Sequence, residues 1–85
     1  MSTVDETLDE RHKTYGKFSD QAKIFTKIVS QCPETNLPDS HRLAILMIIL
    51  KISRLLNGNS SHADTWHDIA GYAKLIEDEL TGVSR

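Results

Sequence analysis

Two cations and two carboxylates stand at spacings that could build a polar site. Lys51 and Arg54 are three residues apart, so on an α-helix both project from one side. Asp64, Asp68 and Tyr72 follow at intervals of four, which is also helical spacing. A short polar loop joins the two segments, so we expect the two helices to pack antiparallel. Arg54 would then lie near Asp64 and Asp68. Lys51 would lie near the helical turn that runs from Asp68 to Tyr72.

Two interpretations of this set are open. In the first, the charges form ion pairs that lock the two helices together, and their role is structural. In the second, Lys51 and Arg54 bind a phosphate group while Asp68 or Tyr72 orients the ligand. The candidate ligand-binding residues are therefore Lys51, Arg54, Asp64, Asp68 and Tyr72. A nucleotide or a cyclic nucleotide is the expected class of ligand, and no catalytic or metal-ligating residue is predicted.

The first helix carries a second group of carboxylates, namely Asp5, Glu6, Asp9 and Glu10. Acidic residues near a helix N-terminus are favoured by the helix dipole, which predicts a solvated face. The alternative is a Mg²⁺ site that resembles the EExxE motif of MazG-type nucleotide pyrophosphohydrolases. Those enzymes place EExxE and ExxD on adjacent helices, whereas here a helix and a loop come between the acidic segments. Mg²⁺ is expected as a cofactor only under this alternative, and otherwise no cofactor is expected.

Other catalytic signatures are missing from the sequence. The four histidines, His12, His41, His62 and His67, show no recognised spacing for metal ligands. Ser, Cys and His residues form no nucleophile motif, and no glycine-rich phosphate loop occurs. These observations favour a binding protein over an enzyme.

Helix start and stop signals predict an all-α chain with one short and three longer helices. Thr3 and Glu6 have the spacing of a capping box that opens the first helix. The predicted helices run from Val4 to Gly16, from a cap at Ser19 or Asp20 to Cys32, from a cap at Asp39 or Ser40 to Asn57-Gly58, and from Asp64 or Thr65 to Leu80 before Gly82. We expect a single domain over residues 1–85, a small four-helix bundle in which the central apolar helix three packs antiparallel on helix four.

The third helix is apolar on more than one side. Successive residues are rotated by about 100° around a helix axis, and this rotation divides the apolar residues of the third helix into a main stripe and a second stripe. The main stripe comprises Ile45, Ile48, Ile49, Ile52, Leu55 and Leu56, and the second comprises Leu43, Leu46, Met47 and Leu50. We expect the main stripe to pack within its own subunit and the second to contact another subunit, which predicts a homo-oligomer. Gly71, in the middle of the fourth helix, is expected to permit a close helix crossing.

Charge and hydropathy restrict the class of partner. The formal net charge is −2, so the chain has no overall attraction to nucleic acid or to anionic membrane, and a nucleic-acid partner is not expected. The N-terminus is polar and acidic, and the apolar run at 43–50 is too short to cross a bilayer. We therefore expect a cytoplasmic protein with no membrane partner. Cys32 is the single cysteine and is expected to be a small buried apolar residue.

Four short motifs occur in order along the chain. They are Tyr15-Gly16-Lys17-Phe18, Lys51-x-x-Arg54, Asn57-Gly58 and the segment DxWxDIAGY at 64–72. With them the chain resembles a family of small phage and prophage proteins of unknown function, from about residue 8 to residue 80. That family is more distantly similar to an all-helical phage domain associated with nucleotide modification, which also has a K-x-x-R helix followed by an acidic helix. The resemblance implies a phage origin and suggests nucleotide chemistry.

These observations lead to one main hypothesis and two alternatives. The main hypothesis is a non-catalytic phage accessory protein that forms a helical homo-oligomer and binds a nucleotide-like anion or a host protein. Such a protein would modulate host metabolism or defence. One alternative is a degenerate, Mg²⁺-dependent nucleotide pyrophosphohydrolase of the MazG type. The other is a DNA-binding module, which the net charge disfavours.

Overall fold

A computed structural model describes residues 3–85, and within them the chain forms four α-helices and no strand. The helices are α1 (Val4–Tyr15), α2 (Phe18–Gln31), α3 (Asp39–Asn57) and α4 (Ala63–Leu80). They contain 12, 14, 19 and 18 residues, which confirms the prediction of one short and three longer helices. The domain predicted over 1–85 begins with two residues that lie outside the described range. None of the four helices combines the length and the hydropathy that crossing a bilayer requires.

The first two helices are separated by a tight turn at Gly16. The Thr3 hydroxyl accepts a hydrogen bond of 3.1 Å from the Glu6 amide, so α1 begins as the sequence predicts. Gly16 has a φ of 79°, a left-handed conformation that suits glycine, and it ends α1. The turn takes only Gly16 and Lys17, so α2 begins already at Phe18, with Lys17 in place of the predicted caps at Ser19 or Asp20.

The fourth helix begins and ends with well-defined hydrogen bonds. At its start, His62 Nδ1 lies 2.8 Å from the hydroxyl of the buried Thr65. At its end, Gly82 adopts a φ of 84° and the Val83 amide donates to the Asp78 carbonyl over 2.7 Å. This is the bonding pattern of a Schellman motif, and it agrees with the predicted stop at Gly82.

Helix α3 lies at the centre of the fold, with α2 on one flank and α4 on the other. Helix α1 touches both α2 and α3, whereas α2 and α4 do not contact each other within residues 3–85. Two polar contacts set the antiparallel register of α3 and α4. Lys51 pairs with Asp68 at 3.0 Å, and Ser40 near the start of α3 donates to Glu79 near the end of α4 over 2.8 Å. The central position of α3 and its packing on α4 are as predicted.

The buried apolar core is small. It consists of Ala44, Ile49 and Leu55, all on α3. The accessible surface is 6534 Å², whereas a compact monomer of 9.6 kDa is expected to expose about 5,100 Å². The radius of gyration is 14.8 Å, against about 12 Å for a compact chain of this length. The helices therefore form an open arrangement that leaves much of its own surface uncovered.

The two apolar stripes of α3 are covered differently from the prediction. From the main stripe, Ile45, Ile52 and Leu56 are exposed by 42%, 36% and 66%. Three of the four residues of the second stripe are half-buried, and only Leu43 is exposed. The expectation that the main stripe packs within its own subunit is therefore wrong for these three residues. The physical reason is that α2 and α4 contact the two flanks of α3 and leave the strip between them open.

Two further expectations are wrong in detail. Cys32 is exposed, because α2 ends one residue earlier and the chain leaves the helix there. Gly71 is not the site of a close helix crossing. A methyl group built at this position would meet nothing within 4 Å, so the glycine faces open space in the described part of the chain.

Candidate functional site

The predicted pairing of Lys51 with Asp68 is present. The two side chains form an ion pair of 3.0 Å at the edge of the α3–α4 hairpin, where Lys51 is 13% exposed and Asp68 is 47% exposed. Asp68 and Tyr72 also line an open hollow of about 480 Å³ along α4, together with Gly71. Three of the five predicted residues therefore lie close together on one side of the hairpin.

Arg54 faces a different part of the molecule. Its guanidinium carbon lies 4.6 Å from the ring centroid of Tyr15, at the end of α1. Within residues 3–85, Arg54 forms no ion pair with Asp64 or Asp68, and its Nε atom is buried without a hydrogen-bond partner. Asp64 is exposed in the first turn of α4. The structure thus divides the predicted set between the α3–α4 edge, the α1–α3 contact and the start of α4.

Tyr15 is held from its backbone and from its ring. The Asn57 side-chain amide donates to the carbonyls of Tyr15 and Lys17, both over 2.9 Å. The Tyr15 ring meets the His62 ring edge-on, with the ring centroids 5.7 Å apart. Because backbone and ring are both fixed, Tyr15 is a rigid platform for the guanidinium of Arg54.

The turn after α1 contacts the turn after α3, and each turn has a glycine at the contact. We call the residues Tyr15, Gly16, Asn57 and Gly58 the junction. A methyl group on Gly58 would lie 2.5 Å from Tyr15 Cα, and one on Gly16 would lie 2.5 Å from the Asn57 carbonyl oxygen. Both distances are far below van der Waals contact, so each position requires glycine. Two of the four sequence motifs are thereby explained as packing of one turn against the other.

A cleft opens beside Arg54 between α1, α2 and α3, and we call it the arginine cleft. Its volume is about 540 Å³. It is lined by Leu8, Asp9, Arg11, His12, Tyr15, Gly16, Phe18, Gln21, Leu50 and Arg54. The basic side chains of Arg11, His12 and Arg54 outnumber the single carboxylate of Asp9. The arrangement can bind an anion next to aromatic and aliphatic surface.

Sequence reasoning missed the contribution of α1 to this cleft. Leu8, Arg11, His12 and Tyr15 recur at helical spacings of three and four, so they share one side of α1. This periodicity was the available signal, but the acids of the same helix favoured a solvated face or a Mg²⁺ site.

No cluster of metal-ligating side chains is found in the described part of the chain. Within residues 3–85, no three side chains of His, Cys, Asp or Glu converge closely enough to hold one. The four carboxylates of α1, which the Mg²⁺ alternative requires, are all exposed.

Comparison with known proteins places the chain in a family. The family model described as "Domain of unknown function (DUF6378)" matches residues 1–80. The chain belongs to this family. One relative is the Gene 55 protein of Mycobacterium phage D29, which is 37% identical over 68 residues. The matched segment covers 80% of this chain and 44% of that protein, so the chain spans less than half the length of this relative. No solved structure matches the chain.

The family match and the phage relative confirm the resemblance to a phage family of unknown function. Both the α3–α4 edge and the arginine cleft fall within the matched residues, as do all four sequence motifs.

Proposed function

We propose that this phage protein is a non-catalytic accessory protein that assembles as a helical homo-oligomer. In that form it binds a nucleotide-like anion or a host protein in the host cytoplasm, and so modulates host metabolism or defence. The observation that carries the proposal is the set of apolar side chains on α3 and α4 that the four helices leave exposed.

This surface, which we call the apolar face, is built from two helices. Its residues on α3 recur at intervals of seven and four, and those on α4 at intervals of seven, so each set lies on one side of its helix. The apolar face comprises Ile45, Ile52 and Leu56 of α3 and Trp66, Ala73 and Leu80 of α4. All six are exposed, and Leu56, Trp66 and Leu80 by more than half.

Both sets lie on the same side of the hairpin. The Lys51–Asp68 and Ser40–Glu79 contacts mark one edge of the α3–α4 contact. Measured around each helix axis from these edge residues, the residues of the apolar face lie about 100–160° away. They are therefore on the far side of the buried contact between α3 and α4. The six side chains therefore form one surface that contains no charged residue.

The amount of uncovered surface suits a second copy of the chain. The accessible surface exceeds that of a compact monomer by roughly 1,400 Å². An interface of standard size takes about 800 Å² from each partner. Identical apolar faces related by a two-fold axis would bury such an area without bringing like charges together.

Light scattering coupled to size-exclusion chromatography tests this assembly. We expect the wild type to elute with the mass of a dimer or a larger oligomer. Leu56→Gln combined with Leu80→Gln should give a monomer at the same concentration, because two polar side chains would enter the interface. The matched control is Leu43→Gln, which alters an apolar side chain that is 61% exposed on another side of α3.

The controls also distinguish the two stripes of α3. A monomeric wild type at high micromolar concentration would contradict self-association. Dissociation by Leu43→Gln alone, with the double variant still assembled, would move the interface to the second stripe. A wild type that stays monomeric but forms a stoichiometric complex with one host protein would assign the apolar face to that partner.

Two activity measurements address the alternatives. Mg²⁺-dependent release of pyrophosphate from nucleoside triphosphates would favour the MazG-type enzyme over a binding protein. Binding to duplex DNA that weakens steeply with salt would favour the DNA-binding module.

A further inference from the structure

We infer that the arginine cleft is the ligand site, and that its ligand combines a phosphate group with a planar ring, as a nucleotide does. This inference rests on the nucleotide-binding part of the proposed function. It assigns the phosphate to Arg54 and the α1 cations, at a distance from the Lys51–Asp68 pair.

The first reason is that, in the described part of the chain, Arg54 has a buried hydrogen-bond donor without a partner. Its guanidinium carbon lies over the ring of Tyr15, 4.6 Å from the ring centroid. The five N–H donors of a guanidinium lie in its plane. Within residues 3–85 one of them, on Nε, is buried and has no hydrogen-bond partner. A buried donor without a partner costs free energy, and a phosphate oxygen would relieve that cost with a charge-assisted hydrogen bond.

The second reason is the composition of the walls. Arg11 and His12 add basic groups from α1, and Asp9 is the one carboxylate in the lining. Leu8 and Phe18 supply apolar surface for a ring. The volume of about 540 Å³ falls within the range of about 300–1,000 Å³ that is usual for small-molecule sites.

The Lys51 side offers a weaker site. Lys51 already pairs with Asp68 at 3.0 Å, so an incoming phosphate would have to displace or approach a carboxylate. The hollow beside Asp68 and Tyr72 is open, and its lining holds one histidine, His67, but no arginine or lysine. A phosphate is therefore better neutralised in the arginine cleft.

The position of the cleft separates this inference from self-association. Arg54 and Leu56 are two residues apart and so lie about 200° apart around α3. A partner that covers the apolar face therefore leaves the cleft open. Ligand binding and oligomeric state can be measured as independent properties of the same protein.

Isothermal titration of the full chain tests the cleft. The probes are the four ribonucleoside monophosphates, the matching nucleosides and inorganic phosphate. We expect at least one monophosphate to bind the wild type about tenfold or more tightly than its nucleoside, because the charged group provides most of the attraction.

Five variants locate the binding site. Arg54→Gln should weaken nucleotide binding by about tenfold or more, and Arg11→Gln by a smaller factor. Arg54→Lys, which keeps the charge but loses the planar fork, should fall between the wild type and Arg54→Gln. The matched controls are Lys51→Gln, on the same helix, and Arg42→Gln, whose guanidinium donates to the Thr35 carbonyl outside the cleft. Both should bind as the wild type does.

Several outcomes would overturn the assignment. One is a wild type that binds none of the probes at millimolar concentration, and another is Arg54→Lys and Arg11→Gln variants with unchanged affinity. Loss of binding in Lys51→Gln alone would return the ligand to the α3–α4 edge. If no probe binds while light scattering shows an oligomer, the cleft assignment fails and self-association stands. A monomer that still binds nucleotide through Arg54 would support the cleft assignment and contradict self-association.

Discussion

At the scale of single residues, two glycines with opposite surroundings provide a matched pair. Gly58→Ala should destabilise the fold by about 1–3 kcal/mol, because the new methyl group would overlap the backbone of Tyr15. Gly71→Ala should stabilise it by about 0.5–1 kcal/mol, because the position is open and alanine favours the helix. Chemical denaturation with both variants measures the two effects. Equal and small changes would show that the junction is looser than the structure describes.

Residue spacing predicted part of the candidate site. The pairing of Lys51 with Asp68 followed from the lengths of two helices and the short loop between them. The position of Arg54 did not follow, because it depends on where α1 lies. That placement is set by the junction, in which Asn57 binds carbonyls 40 and 42 residues away in sequence. Periodicity within one helix carries no information about such contacts.

At the scale of elements, the end of α4 carries the titratable group with the clearest coupling to stability. The hydrogen bond from Lys74, 2.6 Å from Asp78, is the main cause that lowers the pKa of Asp78 below its usual value of 3.8. Burial opposes this shift, and a hydrogen bond from Arg85 at 2.8 Å adds to it. The same contact raises the pKa of Lys74 above its usual value of 10.5.

The sign of the pH dependence follows from these directions. The folded state holds Asp78 ionised at a lower pH than the unfolded state does, so its contribution is present above about pH 4 and is lost as the pH falls through the folded-state pKa. The contribution of Lys74 is present below pH 10.5 and is lost as the pH rises through its folded-state pKa. We therefore expect the melting temperature to decrease below pH 4 in the wild type and less steeply in Asp78→Asn. Asp64→Asn, an exposed acid on the same helix, should retain the slope of the wild type, and a parallel slope in Asp78→Asn would contradict the coupling.

The boundaries of the helices were largely predictable from the sequence, whereas which side of each helix is buried by its neighbours was not. Capping residues and glycines gave the start of α1 and the ends of α1, α3 and α4 because they act on their immediate neighbours. The main stripe of α3 was expected to be buried as a whole, but it divides: Ile49 and Leu55 are buried, whereas the three residues of the apolar face are exposed. Helical spacing shows which side chains share a side, whereas the neighbour that covers that side depends on the packing of three other helices.

At the scale of the whole molecule, self-association should couple stability to concentration. The folded chain would be stabilised by its partner through mass action. For a dimer of this size, a tenfold increase in protein concentration should raise the melting temperature by about 3–5 °C. The Leu56→Gln, Leu80→Gln double variant should show no such increase. A melting temperature of the wild type that stays constant over a hundredfold range would argue against an obligate assembly.

The junction also sets an order for folding. Helices α3 and α4 are joined by a short loop and can pair early, whereas the Asn57 amide must reach Tyr15 across a sequence separation of 42 residues. We therefore expect α1 to dock late and to detach first in native-state opening, in a step that leaves α2, α3 and α4 together. The Arg54–Tyr15 stack exists only in the docked form. A nucleotide bound there should slow hydrogen exchange in α1 more than in any other helix. Ligand binding would stabilise the docked form of α1 and so oppose the first step of unfolding.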